Sequence, residues 1–148
     1  MSIKGTILDI KQFKNIKGGS MFSTTPNFSS FSVTNREEAQ TFYQDVLGLT
    51  VEGRPEGLNV QLFGGGRVFL YQKDDHMPAS FTVLNFVVED IDTTVAELAA
   101  KGVSFEHYDT DMLKTDEKGI ARGRAAGHGP DIAWFKDPAG NVLSVIAE

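Results

Sequence analysis

From Phe28 onward the apolar positions follow a two-residue rhythm, then a helical one, and the order is repeated. Phe28-Ser-Ser-Phe31-Ser-Val33 mixes aromatic, β-branched and polar residues as a strand does. Thr34-Asn35 ends that run, and Asn35 with Glu38 three residues later predicts a capped helix start. Ala39, Phe42, Tyr43, Val46 and Leu47 then recur at helical spacing, and Gly48 supplies the stop. Three strand-like runs follow at Leu49–Val51, Leu58–Phe63 and Arg67–Gln72. Gly64-Gly65-Gly66 separates the last two, where a tight hairpin needs positive φ.

The second half restates this order. Phe81–Val88 reads as a strand. Asp90 or Asp92 can cap a helix to about Lys101, with Val95, Leu98 and Ala99 as its buried stripe and Gly102 as its end. Val103–Tyr108, Asp131–Phe135 and Asn141–Ile146 read as strands, the last two joined by the turn Asp137-Pro138-Ala139-Gly140. Phe31-Ser-Val33 overlays Phe86-Val-Val88, and Leu49-Thr-Val51-Glu52 overlays Val103-Ser-Phe105-Glu106. The economical explanation is a duplicated βαβββ unit: an α+β domain over residues 21–148, module one at about 27–73 and module two at about 80–148. An insert at about 109–129, rich in glycine and charge, is a lid candidate. Residues 1–20 read apart from this core. Ile7, Leu8 and Ile10 suit a short strand, and Lys17-Gly18-Gly19-Ser20 is flexible-linker chemistry, so the segment is expected to be an N-terminal extension or an expression remnant.

Composition narrows the function classes. The 148 residues are 41% hydrophobic and 23% charged, ordinary globular usage, with a formal net charge of −6. No lysine–arginine cluster builds the concentrated basic face a phosphate backbone requires, so nucleic acid is not an expected partner. The apolar runs are strand-sized, so no membrane is expected either, and the cytoplasm is the expected compartment. The absence of cysteine excludes disulfides, thiolate metal sites and cysteine nucleophiles. The sequence has no G-x-S-x-G elbow, and the glycine triplet lacks the Lys-Ser/Thr of a phosphate loop.

Three short stretches resemble one family. Phe42-Tyr43-Gln-Asp-Val-Leu47-Gly48-Leu49, Val88-Glu89-Asp90-Ile91-Asp92 and Trp134-Phe135-Lys-Asp137-Pro138-Ala-Gly140-Asn141 resemble, in order, motifs of the vicinal oxygen chelate superfamily. That superfamily includes glyoxalases, ring-cleaving dioxygenases and bleomycin-resistance proteins, and the likeness covers about residues 27–148. It implies two tandem modules curling mixed sheets around one cavity, and a homodimer. Its metal enzymes place four ligands on the first and last strands of the modules, at positions that here hold Phe28, Leu70, Val83 and Ser144. Phe, Leu and Val offer no nitrogen or oxygen donor, and serine alone is a poor ligand, so no metal and no cofactor is expected.

Strand alternation adds Ser30, Gln72 and Asn85 to those four, and Trp134 is a candidate for packing or stacking. No carboxylate or lysine falls in phase with this set, which predicts a greasy pocket with a few neutral hydrogen-bonding groups. The first reading is therefore a metal-free protein that binds a small, mostly apolar organic ligand, nearest in type to the bleomycin-resistance members. A second is a glyoxalase-like lyase or isomerase, or a dioxygenase-type enzyme, using a divalent metal or a histidine–acid pair. A third is a structural partner whose cavity Phe28 fills. His107, ending a strand beside Tyr108 and Asp109, is the candidate general base; His76 is expected to be solvated in the intermodule linker, and His128 to sit in a loop.

Overall fold

The computed structural model describes residues 21–148. The strand and linker expected before Met21 lie outside the described residues. The first module runs β1 (Ser29–Val33), α1 (Arg36–Thr41), a π-helical turn (Phe42–Val46), β2 (Val51–Arg54), β3 (Gly57–Gln61) and β4 (Arg67–Gln72). The second runs β5 (Thr82–Val87), α2 (Ile91–Ala100), β6 (Ile120–Arg122), a single helical turn (Gly123–Ala126), β7 (Asp131–Lys136) and β8 (Val142–Ala147). Each module is one four-stranded mixed sheet, ordered β1-β4-β3-β2 and β5-β8-β7-β6. The first strand pairs parallel with the last in both, Phe31 beside Leu70 and Phe86 beside Val145, and the remaining pairs are antiparallel. No helix among the described residues is long and apolar enough to cross a membrane.

The helix starts follow local chemistry. The Asn35 side chain accepts from the Glu38 amide at 2.9 Å, and the Asp90 side chain accepts from the Thr93 amide at 3.0 Å, each satisfying an orphan N–H of the first turn. Gly48 and Gly102 take φ of 71° and 95° where the chain leaves each helix. The helical stripe of module one continues past Thr41 as a π turn, in which the Leu47 amide donates to the Phe42 carbonyl at 3.0 Å.

Helices cover one face of each sheet, and the covered faces share a core. Val33, Tyr43, Leu58, Val60, Val68 and Leu70 from module one join Ile91, Val95, Ile120, Phe135, Leu143 and Val145 from module two. A buried polar junction locks the modules together. The Asp137 carboxylate accepts from the Tyr43 hydroxyl at 2.7 Å, from the Asn141 side-chain amide at 2.9 Å and from the backbone amides of Ala139 and Asn141. Burial, then the adjacent Asp137 charge, pushes the Tyr43 phenol far above its ordinary range, so it remains a donor. Asn141 also donates to the Ser32 carbonyl at 2.8 Å.

The structure departs from the sequence reading at four places. Leu49 is not in a strand: its amide donates to the Tyr43 carbonyl, its side chain packs on the core, and β2 begins at Val51. The expected strand Val103–Tyr108 shrinks to a bridge between Phe105 and Phe135, because β7 divides its edge between two segments. Phe105 and Glu106 take one end, and Ile120–Arg122, from within the insert, takes the other. The insert is thereby held down rather than free as a lid: Ile120 is fully buried, and Arg122 bonds Asp92 at 2.7 and 2.9 Å and Asp116 at 2.9 Å. His76 is not solvated linker; its Nδ1 meets the Ser32 hydroxyl at 2.6 Å and its Nε2 the Ala139 carbonyl at 3.0 Å, bridging the modules.

Candidate ligand site

Helices cover only one face of each sheet, so chemistry must be sought on the opposite, open faces. In module one, register decides which side chains share that face. Ser30 pairs with Phe69, Phe69 with Asn59, and Asn59 with Glu52, so these four form one row across the sheet. The next row holds Gln61 beside Arg67, with Phe28 at the strand entry. Between these rows lies a groove of about 610 Å³, lined by Pro26, Phe28, Glu52, Arg54, Glu56, Asn59, Gln61, Arg67 and Phe69. Phe28 meets Phe69 edge-on, with ring centroids 6.4 Å apart, and the Arg67 guanidinium lies 4.1 Å over the Phe28 ring. Arg54 pairs with Glu52 at 3.2 Å.

On the corresponding face of module two the polar side chains bond one another. Asn85, Ser144 and Trp134 form one row, and the buried Ser144 hydroxyl donates to the Asn85 side-chain oxygen. The Trp134 indole N–H donates to the Thr82 hydroxyl at 3.2 Å, and Tyr108 stands edge-on to the indole at 5.5 Å.

Of the eight residues expected to line a pocket, the structure puts Phe28 and Ser30 on the first open face and Asn85, Trp134 and Ser144 on the second. Three do not join them. Leu70 has no exposed surface and packs in the core, because β4 points Val68 and Leu70 at the helix and Arg67, Phe69 and Tyr71 outward. A one-residue offset in phase exchanges the faces. Gln72 shares the phase of Leu70, and its side-chain oxygen accepts from the Arg36 amide at 2.9 Å, capping α1. Val83 sits in a β-bulge: the register moves from Thr82–Val142 to Leu84–Leu143 with Val83 as the extra residue, and its side chain packs on the core. His107 is exposed beside Gly119, away from the groove, and His128 lies in the expected loop.

The groove contains what the sequence reading left out. Glu52, Arg54 and Arg67 bring charge to a surface expected to be neutral, and Asn59, Gln61 and Phe69 complete it. The signal was present in Arg67-Val-Phe-Leu-Tyr-Gln72. Its aliphatic members, Val68 and Leu70, define the buried phase, which leaves Arg67, Phe69 and Tyr71 on the other face.

The residues do not suit the metal implied by the family resemblance. Of the four positions it names, Phe28, Leu70 and Val83 carry no donor, Leu70 and Val83 pack on the core, and the Ser144 hydroxyl is bonded to the Asn85 oxygen. No group of three or more histidine, cysteine, aspartate or glutamate side chains that could hold a metal occurs among the described residues.

Comparisons with known proteins agree with this architecture. Residues 27–145 match the model of the Glyoxalase/Bleomycin resistance protein/Dioxygenase superfamily. A glyoxalase family protein from Enterococcus faecalis superposes with a TM-score of 0.60 at 21% identity, covering 85% of this chain and 99% of that one. A superfamily member from Sphaerobacter thermophilus gives 0.61 at 21%, covering 84% and 98%. An antibiotic-binding protein from Streptomyces sp. CB03234 gives 0.54 at 22%, covering 84% and 97%. At such identities the likeness shows the fold alone. Comparison with curated proteins gave no match. With four-fifths of its length under the family model and both four-stranded sheets in place, the chain belongs to the glyoxalase/bleomycin resistance protein/dioxygenase superfamily.

Proposed function

We propose that this chain is a small-molecule-binding protein that takes up a mostly apolar organic ligand on its open sheet faces and needs no metal to do so. The observation that carries this reading is the groove bounded by Phe28 and Phe69 with the amides of Asn59 and Gln61. Apolar walls with a few placed donors and acceptors are the usual make-up of a ligand pocket. The donor-poor residues at the metal positions favour binding over metal-assisted catalysis, and the antibiotic-binding neighbour shows that the fold can serve a binding role.

A homodimer is part of the proposal. Phe28, Phe81 and Val87 are 51%, 68% and 66% exposed, and apolar surface of that kind is well used against a second copy that closes the groove. The proposed setting is the cytoplasm, without nucleic acid as partner.

Thermal-shift screening of chelator-treated protein against small aromatic compounds tests the reading. A ligand at 100 times its dissociation constant adds about 2.7 kcal/mol of stability, enough to raise the melting temperature measurably. Stoichiometric zinc, nickel, manganese or iron in protein purified without chelator, together with loss of every shift on its removal, would favour the metal enzyme instead.

A further inference from the structure

We infer that the module-one groove selects a flat aromatic compound bearing a carboxylate or a comparably planar oxyanion, with Arg67 as the counter-charge. This rests on the ligand-binding reading above and adds the ligand's chemical class. Four charged side chains line the groove, and they are not equivalent. Arg54 and Glu52 neutralise each other at 3.2 Å, and Glu56 is exposed, where a pair with an incoming cation gains little. Arg67 is only partly exposed and makes no ion pair among the described residues.

Its Nε–H supplies the second argument. This nitrogen is buried with no hydrogen-bond partner, the one side-chain atom so left among the described residues. Buried donors are nearly always satisfied, and an unmet guanidinium N–H favours whatever brings it an acceptor. The guanidinium carbon lies 4.1 Å from the centre of the Phe28 ring, which sets the cation beside aromatic surface, and a planar guanidinium can grip two oxygens at once. Phe69, edge-on to Phe28, extends that aromatic surface, and the Gln61 amide stands on the neighbouring strand in the same row. A cation finds no unpaired, sheltered carboxylate here, and a purely apolar ligand would leave Arg67 desolvated without compensation.

The test titrates the full chain with 2-naphthoate and with its neutral isostere 2-naphthamide, with backbone NMR shifts locating each. The expected result is that naphthoate binds about tenfold or more tighter, shifting amides of β3 and β4, as a charge-assisted hydrogen-bond pair gives. Arg67→Gln should bring the two affinities within about twofold of each other, Arg67→Lys should retain part of the preference because it keeps charge without the fork, and Phe69→Leu should weaken both probes. Equal affinity in the unchanged protein, or an Arg67→Gln variant that keeps the preference, overturns the inference and leaves the ligand-binding reading standing. So does binding of both probes at Trp134 and Asn85 only. Failure of 2-naphthoate to bind counts against the inference, and if screening also finds no ligand, against both.

Discussion

The two open sheet faces occupy equivalent places on duplicated modules, yet their chemistry differs. The first displays Phe28, Phe69, Arg67, Glu52, Asn59 and Gln61 around a groove. The second displays Trp134, Thr82, Asn85 and Ser144, whose polar atoms already bond one another. Beneath them the buried rows are alike: Leu58, Val60, Val68 and Leu70 under one, Ala133, Phe135, Leu143 and Val145 under the other. A shared core demands volume and tolerates few unpaired polar atoms, which constrains the inward rows equally. Outward rows carry no such constraint. Duplication therefore preserves the frame and frees one face of each module for a separate task.

The largest effect is expected where the modules meet. Asp137→Ala strips the acceptor from the Tyr43 hydroxyl, the Asn141 amide and two backbone amides. Each buried donor so orphaned costs about 1–3 kcal/mol, so a loss of about 3 kcal/mol or more is expected in urea unfolding, with both modules melting in one transition. Separate transitions in the unchanged protein would mean two independent domains.

Leu70 and Phe69 are neighbours on opposite faces and should behave oppositely. Leu70→Ala is expected to cost about 2–5 kcal/mol of stability and leave the affinity of the folded protein unchanged. Phe69→Ala should cost far less stability and weaken any ligand held in the groove. The reverse pattern would refute the strand phase.

Ser144→Ala, on the second face, removes one hydrogen bond to Asn85 and is expected to cost about 1 kcal/mol without altering binding in the first groove, measured by parallel unfolding and titration.

The smallest effect concerns the tied-down insert. Hydrogen bonds from Arg122, then Lys118, hold the Asp92 carboxyl well below its usual range. Burial alone would raise Asp116, but the Ile120 amide and Arg122 outweigh it and hold it low. Carboxyls depressed in the folded state stabilise it above their unfolded value, about 3.9, and that stability is lost as pH falls through the lower folded values. Arg122→Met should therefore lower the melting temperature modestly at pH 7, where the ion pairs are intact, and flatten its decline below about pH 4, so that the two proteins converge in acid.

What was legible in the sequence was what local chemistry decides. Asn35 with Glu38, Asp90, Gly48 and Gly102 mark helix ends because capping and positive φ are properties of a few adjacent residues. The repeat was visible for the same reason. Tertiary effects hid the rest. Nothing near Val83 announces a bulge, which exists because β5 must match β8 and fill the core at once. Nothing near Ile120 announces a strand, since it takes part of an edge that Phe105 only begins to fill. The charged groove was missed through one error of phase at Leu70, which carried Arg67 and Phe69 to the wrong face with it.

The account turns on a small organic ligand occupying the open face without help from a metal. The most direct measurement is an NMR titration of the full chain with the tightest screened ligand, run with and without excess EDTA. The account predicts the same affinity in both, with shifts concentrated at Ser30, Asn59, Gln61 and Phe69. Binding that vanishes with the chelator and returns with a divalent cation would contradict it.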